Sequence, residues 1–163
     1  MHGFGRRLIY CLENINEIKG FAMEDVIVRD GFEAMDFEKV TKMLSGAFWS
    51  PSISTAEVKK GAENSALVVG AFLPDGTQVG YARVISDKTR FAYILDVIVD
   101  EPRRKLGVGQ KIIKYILGHS ELKDVYQWVL ITKDAHAFYS KNGFKPISRP
   151  LDWMEIRNER PKR

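Results

Sequence analysis

Hydrophobic residues at helical spacing predict two helices early in the chain, from Asp36 to Phe48 and from Thr55 to Glu63. Each stretch begins at or just after a side chain that caps helices well, Asp36 or Ser54. Trp49-Ser50-Pro51 separates them, and a helix cannot continue through the proline. We therefore expect two short helices joined by a proline-limited loop.

The first 22 residues read as an extension in front of this pattern. Four apolar residues at helical spacing predict a short amphipathic helix that ends near Gly20: Leu8, Leu12, Ile15 and Ile18. Met23 directly precedes a strand-like segment, Val26 to Arg29, so translation could start there. We assign residues 1–22 to an N-terminal extension and residues 23–163 to one domain.

Strand-like runs follow. Ala66 to Leu73 is rich in apolar residues, Pro74-Asp75-Gly76 supplies turn chemistry, and Gln78 to Ser86 completes a predicted β-hairpin. The run from Phe91 to Val99 is almost wholly apolar, as in a central strand covered on both faces.

The last third of the chain alternates helices and strands. The predicted elements are helix Val108 to Leu117 with Ile112, Ile113 and Ile116 inside, strand Val125 to Ile131, helix Ala135 to Asn142 ended by Gly143, and a last strand around Trp153 to Arg157. The whole order predicts a single α/β (α+β) domain with a mixed, mostly antiparallel central sheet and helices on both faces.

Composition excludes several classes of protein. A chain of 163 residues with 45% hydrophobic content can bury one core. No apolar run approaches the roughly 18 residues that span a bilayer, so we expect a cytoplasmic protein with no membrane partner. A single cysteine, Cys11, supports neither a disulfide framework nor a metal cluster, and we expect no metal. The net charge of +4 attracts polyanions, but the basic residues are spread out without a binding motif, so nucleic acid is the least favoured partner.

The turn that follows the apolar run from Phe91 carries the most informative motif, Arg103-Arg104-Lys105-Leu106-Gly107-Val108-Gly109-Gln110. Its glycines allow several N–H groups at the helix start to face one point, where the helix dipole favours an anion. Three basic side chains adjoin that point, and a pyrophosphate is the ligand that fits. Glycine used for turn geometry alone is the alternative.

Two nucleotide-binding patterns fail at this turn. A P-loop requires Gly-Lys-Ser/Thr, whereas the chain has Gly109-Gln110-Lys111. Ile112 stands where a Rossmann motif has its third glycine. The remaining pattern, Arg104-x-x-Gly107-x-Gly109, resembles the Gln/Arg-x-x-Gly-x-Gly/Ala signature of the GNAT acetyltransferases, in which this loop wraps the pyrophosphate of acetyl-CoA.

A second segment is similar to the later A-x-x-x-Y-x-K-x-G-F segment of that family. It reads Asp134-Ala135-His136-Ala137-Phe138-Tyr139-Ser140-Lys141-Asn142-Gly143-Phe144. The resemblance runs from about Val26 to Ile156. It implies a GNAT-like domain that transfers acetyl from acetyl-CoA, its co-substrate, to a primary amine of a small molecule or peptide by direct attack in a ternary complex. A catalytically idle acyl-CoA-binding domain is the alternative. Dimerisation is common in the family, so a homodimer stays open.

The resemblance also implies which residues contact the cofactor: Ile98, Val99, Arg103, Arg104, Lys105, Leu106, Gly107, Val108, Gly109, Gln110, Asp134, Ala137, Tyr139 and Lys141. Tyr139 would be the acid for the departing thiolate, since a phenol with a pKa of about 10 stays protonated at neutral pH. A strand N–H near Ile98 or Val99 would stabilise the developing oxyanion. The alternative is that Tyr139 is a tyrosine of an amphipathic helix whose hydroxyl is only hydrated at the surface.

Asp96 is the strongest polar anomaly, a carboxylate inside an apolar strand. Burying it without a partner would be costly, so it must face a cleft, a partner or water. Either it binds the cationic amine or acts as a base, as the acidic residue at this position of polyamine acetyltransferases suggests, or it forms a structural ion pair with Arg83 or Arg90.

Two residues between the predicted helices concern the amine acceptor. Trp49 and Ser50 fall where relatives form the acceptor pocket, and an aromatic wall would suit an aliphatic or aromatic amine. Tyr93 stands where histone-type members carry a catalytic glutamate, and Asp134 where many members carry an asparagine that holds pantetheine. The sequence therefore leaves the general base unassigned.

Overall fold

The computed structural model describes residues 25–159. They fall into two compact units, residues 25–131 and residues 132–159, and each unit is described by itself. The helix predicted within residues 1–22 lies outside the described part of the chain, and the proposed domain boundary at residue 23 stays a prediction.

The first unit is built on a five-stranded sheet in which sequence order and spatial order coincide. Its strands are β1 (Ile27–Asp30), β2 (Leu67–Phe72), β3 (Gln78–Ser86), β4 (Phe91–Val99) and β5 (Gln127–Val129). The pairs from β1 to β4 are antiparallel, and β4 pairs with β5 in parallel. The predicted mixed, mostly antiparallel sheet is confirmed, as is the hairpin of β2 and β3.

Three helices belong to this unit: α1 (Phe37–Ser45), α2 (Thr55–Glu63) and α3 (Val108–Leu117). The Asp36 side chain caps α1 by accepting the Lys39 N–H, and Ser54 caps α2 in a reciprocal capping box with Glu57. Helix α1 ends at Ser45 rather than near Phe48, because the chain tightens into turns after Gly46.

Helices pack on both faces of the sheet. On one face, Tyr81 of β3 joins an apolar core with α1 and α2 that includes Val40, Leu44 and Val58. On the other face, Gly80 lies so close to α3 that a Cβ built on it would stand 2.8 Å from Ile112 Cδ1. The predicted inner residues of α3 (Ile112, Ile113 and Ile116) are all fully buried.

Two predictions about the strands need correction. The predicted strand Val125 to Ile131 is reduced to the three residues of β5, which pair only with Phe91 to Tyr93. As a result β4 is not covered throughout: fully buried and half-buried residues mix along it. Within residues 25–131, the edge of β4 beyond Tyr93 has no strand beside it on the β5 side.

The second unit contains α4 (His136–Ser140), a shorter form of the predicted helix, and Gly143 follows with a φ of +87°. The strand predicted around Trp153 to Arg157 is wrong. A single 3-10 turn at Pro150–Asp152 precedes irregular chain up to residue 159. Its apolar side chains were the signal for a strand, yet Met154 and Ile156 are exposed. A strand needs a partner for its backbone groups, and the described residues of this unit form no other strand.

No helix among the described residues is both long enough and apolar enough to cross a membrane. Within the same residues, no three His, Cys, Asp or Glu side chains group together in a way that could hold a metal ion.

Candidate functional site

The N-terminus of α3 is shaped to receive an anion. Gly107 occupies the N-cap position with a φ of +84°, a left-handed conformation that glycine adopts without strain. No side chain caps this end within the described residues, and the first helical bond runs from the Lys111 N–H to the Gly107 carbonyl. The N–H groups of Val108 and Gly109 therefore have no acceptor inside the helix, and the helix dipole adds partial positive charge.

The basic residues before this helix lie on a strained, anchored loop. A 3-10 turn, Glu101–Arg103, brings the chain round, and Lys105 adopts a φ of +62°, unusual for a residue with a side chain. The Arg104 Nε donates to the Val99 carbonyl at 3.0 Å. This bond ties the first residue of the glycine motif to the end of β4, while Lys105 and Leu106 stay exposed.

A β-bulge interrupts β4 at Asp96. Arg83 lies opposite Leu95 and Tyr81 lies opposite Ile98, so residues 96 and 97 together face the single residue Ala82. Asp96 itself has a φ of +55°. The bulge bends β4 just before its last residues, on the stretch that β5 does not cover.

The register beyond the bulge separates the two candidate oxyanion donors. The Asp100 N–H donates to the Val79 carbonyl at 2.9 Å, and Gly80 lies opposite Val99. In an antiparallel ladder this places Val99 in a non-hydrogen-bonded pair, so its N–H and carbonyl point away from β3. By the same alternation the Ile98 N–H points toward β3. Val99 is thus the residue whose N–H faces the uncovered edge.

Asp96 forms the ion pair that was one of its two predicted roles. Its Oδ2 lies 2.6 Å from Arg83 Nε, and both side chains are largely buried. Arg90, the other candidate partner, donates instead to the Tyr126 hydroxyl at 3.2 Å. No described residue of the first unit donates a hydrogen bond to Asp96 Oδ1. One carboxylate oxygen is therefore held by Arg83, and the other accepts no hydrogen bond from a described residue of this unit.

The loop between α1 and α2 separates the two predicted acceptor contacts. The Ser50 hydroxyl is buried and donates to the Leu44 carbonyl at 2.6 Å, so it supports the end of α1. Trp49 is 46% exposed, and its ring meets Phe48 edge-on with 5.1 Å between centroids. Trp49 is the member of the pair that presents apolar surface to solvent.

In the second unit, Tyr139 packs between two aromatic rings. The centroid distances are 4.9 Å to Phe138 and 5.9 Å to Phe144, both edge-on. The segment is held locally: the Ala135 N–H donates to Thr132 Oγ1 at 3.0 Å, and Phe144 N–H reaches back to the Tyr139 carbonyl. Burial raises the pKa of Tyr139 to about 12, so its phenol keeps its proton throughout the neutral range. Asp134, Ala137 and Lys141 lie exposed around it.

Sequence reasoning missed two features of the first unit. The Arg83 guanidinium reaches the C-terminal turn of α2, with Nη1 3.4 Å from both the Gly61 carbonyl and Ser65 Oγ. A glycine inside a helix, followed by serine just beyond its end, was the available signal. The Tyr81 hydroxyl is fully buried without a hydrogen-bond partner among the described residues, and no sequence signal marks it.

The first unit thus contains a bulged strand with an uncovered edge, and Arg104 ties the end of this strand to the loop before an uncapped helix N-terminus. Residues 64–146 match the family model described as an acetyltransferase (GNAT) domain. The chain belongs to the GNAT acetyltransferase family and is an N-acetyltransferase.

Solved structures agree with this assignment. A protein of Xanthomonas campestris pv. campestris assigned to the GNAT family is 34% identical, with a TM-score of 0.77, covering 82% of this chain and 93% of that one. A Deinococcus radiodurans protein assigned as an acetyltransferase is 25% identical, with a TM-score of 0.66, covering 84% and 91%. Glucosamine-6-phosphate N-acetyltransferase of Arabidopsis thaliana, 16% identical with a TM-score of 0.62 over 82% and 97%, shares the fold. No curated protein sequence is significantly similar to this chain.

Proposed function

We propose that this protein transfers the acetyl group of acetyl-CoA to the primary amine of a small molecule or peptide, by direct attack within a ternary complex. The observation that carries the proposal is the uncapped, glycine-turned N-terminus of α3, tied through the Arg104–Val99 bond to the uncovered end of β4. A cytoplasmic location and an acceptor that is not a nucleic acid remain parts of this proposal.

The turn before α3 fits the pyrophosphate of acetyl-CoA. The N–H groups at Val108 and Gly109 supply fixed donors, and the helix dipole adds to their charge. Arg103, Arg104 and Lys105 supply positive charge beside them. The other proposed contacts of the carrier are Ile98, Val99, Leu106, Gly107, Gln110, Asp134, Ala137, Tyr139 and Lys141.

Acetyl-CoA, when bound, supplies an activated thioester, and the protein must stabilise the negative charge that develops on its carbonyl oxygen. The Val99 N–H suits this role because the β4–β5 pairing leaves it facing an uncovered edge. A rigid backbone donor needs no reorganisation during the reaction, and one such donor typically contributes about 10²- to 10³-fold in turnover.

Tyr139 is the proposed hydrogen-bond donor to the departing sulfur. Its pKa of about 12 lies above that of a typical thiol, about 8.5, so full transfer of the proton would run uphill. The phenol therefore stabilises the leaving thiolate mainly by donating a hydrogen bond to it. This role differs from a general acid that delivers its proton, and it makes the contribution independent of pH across the working range.

Asp96 and Trp49 are the proposed acceptor contacts. Asp96 would bind a cationic amine through Oδ1, while Arg83 on the other oxygen keeps the carboxylate in place. The half-exposed Trp49 ring offers an apolar wall. Ser50 would shape this pocket only indirectly, since its hydroxyl is engaged by Leu44.

The test is thiol release from acetyl-CoA across a panel of primary amines, combined with thermal shift. Turnover on at least one amine together with a rise in melting temperature on adding CoA is the expected result. A melting shift with no turnover on any amine would identify an idle acyl-CoA-binding domain. Absence of both would overturn the proposal.

A further inference from the structure

Arg83 joins three elements of the first unit. It extends from β3, and its Nε lies 2.6 Å from Asp96 Oδ2 on β4. Its Nη1 lies 3.4 Å from the Gly61 carbonyl and 3.4 Å from Ser65 Oγ, at the end of α2. A planar guanidinium is suited to hold two such partners in one fixed geometry.

The end of α2 is shaped to receive this guanidinium. Gly61 lies within the helix, where glycine is less favourable than alanine. A Cβ at this position would stand 3.4 Å from Arg83 Cζ, so the group lies directly against the glycine. The Ser65 hydroxyl donates to the Gly61 carbonyl at 2.7 Å, and the negative end of the helix dipole faces the cation.

The carboxylate that Arg83 binds belongs to a residue in an uncommon backbone conformation. Asp96 has a φ of +55° within a strand, a region that few residues with side chains adopt and that aspartate tolerates better than most. Contacts that fix the side chain stabilise this conformation further. The bond to Arg83 is the side-chain contact that does so, since Asp96 makes no other side-chain hydrogen bond among the described residues of its unit.

We propose that Arg83 is a positioning residue for acetyl transfer: anchored on the end of α2, it holds Asp96 in the left-handed conformation, and thereby the bulge that aims the Val99 N–H at the uncovered edge of β4. The inference rests on the proposed function for its catalytic consequence, but its structural part stands apart from it. Without the bulge, the alternation of β4 would shift by one residue and the N–H of Val99 would turn toward β3.

Arg83→Gln is the first test variant, and Arg83→Lys, which keeps the charge but not the planar fork, is the second. With a good amine acceptor, kcat should fall by about 10- to 100-fold in Arg83→Gln and less in Arg83→Lys. Binding of CoA, followed by thermal shift, should stay within about twofold because the α3 N-terminus is untouched. Arg90→Gln is the matched control, since Arg90 bonds the exposed Tyr126 rather than Asp96.

A readout that needs no turnover is amide hydrogen exchange of Ile98, whose N–H points toward β3 while the bulge is in place. This exchange should speed up at least tenfold in Arg83→Gln and not in Arg90→Gln. Failure of the parent to acetylate any amine would sink the proposed function while leaving this structural test intact. Unchanged exchange in both Arg83 variants would overturn the positioning role, whatever the activity.

Glycine at position 96 supplies a rescue test, because it adopts a positive φ without a side-chain clamp. Arg83→Gln introduced into Asp96→Gly should change the exchange rate of the Ile98 amide by less than about twofold. That non-additivity is what action through Asp96 requires. An undiminished effect of Arg83→Gln in the glycine background would show that Arg83 acts by another route, and the proposal would fail.

Discussion

The turn before α3 and the bulge in β4 lie close together in the chain, yet they depend on the sequence in different ways. The turn is local: Gly107 takes its positive φ on its own, and the N–H groups behind it belong to the same helix. The bulge is not local, because Asp96 keeps its conformation with help from Arg83 on β3 and the end of α2. The turn should therefore fail when Gly107 alone is replaced, whereas the bulge should fail when the contact between Arg83 and Asp96 is lost.

The largest effect is expected from a substitution in the turn before α3. In Gly107→Val, a branched side chain at a φ of +84° costs about 1–3 kcal/mol and crowds the N–H groups, so acetyl-CoA binding should weaken by about 100-fold. A bulky residue at Gly109 should act in the same direction. The measurement is the rise in melting temperature with acetyl-CoA, and pantetheine analogues without the pyrophosphate should give much less shift in the parent.

Gly46→Ala is the control for that variant. Gly46 has a φ of −81°, and an added Cβ would lie 3.6 Å from the Met43 carbonyl oxygen, an ordinary contact. This variant should keep the acetyl-CoA shift of the parent. A Gly107→Val protein that binds acetyl-CoA like the parent would show that the phosphates bind elsewhere.

Tyr139→Phe removes one hydroxyl from α4, in the second unit. Turnover should fall by about 10²-fold, the lower end of the usual range for proton-handling groups, while the melting temperature hardly moves. Because the pKa of Tyr139 is raised to about 12, the phenol loses its proton only above pH 11 or so. The ratio of parent to variant rates should thus stay constant from pH 7 to pH 10.

Turnover of Tyr139→Phe within about twofold of the parent, with chemistry limiting the rate, would remove this residue from the mechanism. A decline in rate near pH 10 that the parent shows and Tyr139→Phe lacks would give a different result. It would indicate that ligand binding returns the pKa of Tyr139 to the ordinary value for a phenol.

Asp96→Asn sharpens the comparison by separating charge from conformation. Asparagine tolerates a positive φ and can still accept from Arg83, so the bulge should persist. Loss of the negative charge should raise KM for a cationic acceptor by about tenfold, with KM for acetyl-CoA within about twofold. Glu121→Gln, which alters a surface pair with Lys88, should leave both constants unchanged. A stability defect with parental kinetics would make Asp96 purely structural.

The smallest expected effect concerns Tyr81→Phe. The buried Tyr81 hydroxyl lacks a partner among the described residues, so its removal should stabilise the fold by about 1 kcal/mol and leave kcat unchanged. Tyr115→Phe is the control of opposite sign, because the Tyr115 hydroxyl bonds Asp30 and its loss should destabilise. Denaturant unfolding measures both. A destabilised Tyr81→Phe would mean that the hydroxyl has a partner in solution.

The bounds of β3, β4, α2 and α3 follow from sequence because capping residues, turn residues and apolar periods agree at each of these elements. The prediction of a last strand was wrong for the opposite reason. Trp153 to Arg157 has a strand-like composition, but strand formation depends on a neighbour, and composition carries no information about one.

The sequence by itself determined the family and the glycine turn before α3, since both rest on residues within one short segment whose backbone preferences act locally. It left Asp96 with two possible partners, Arg83 and Arg90, and left Ile98 and Val99 equal as oxyanion donors. Only the tertiary structure showed that Asp96 pairs with Arg83 and that the Val99 N–H, unlike that of Ile98, points away from β3. Strand register sets which N–H faces which neighbour, and the end of α2 holds the Arg83 side chain against Asp96. Both depend on contacts between elements distant in the chain, and no local pattern encodes them.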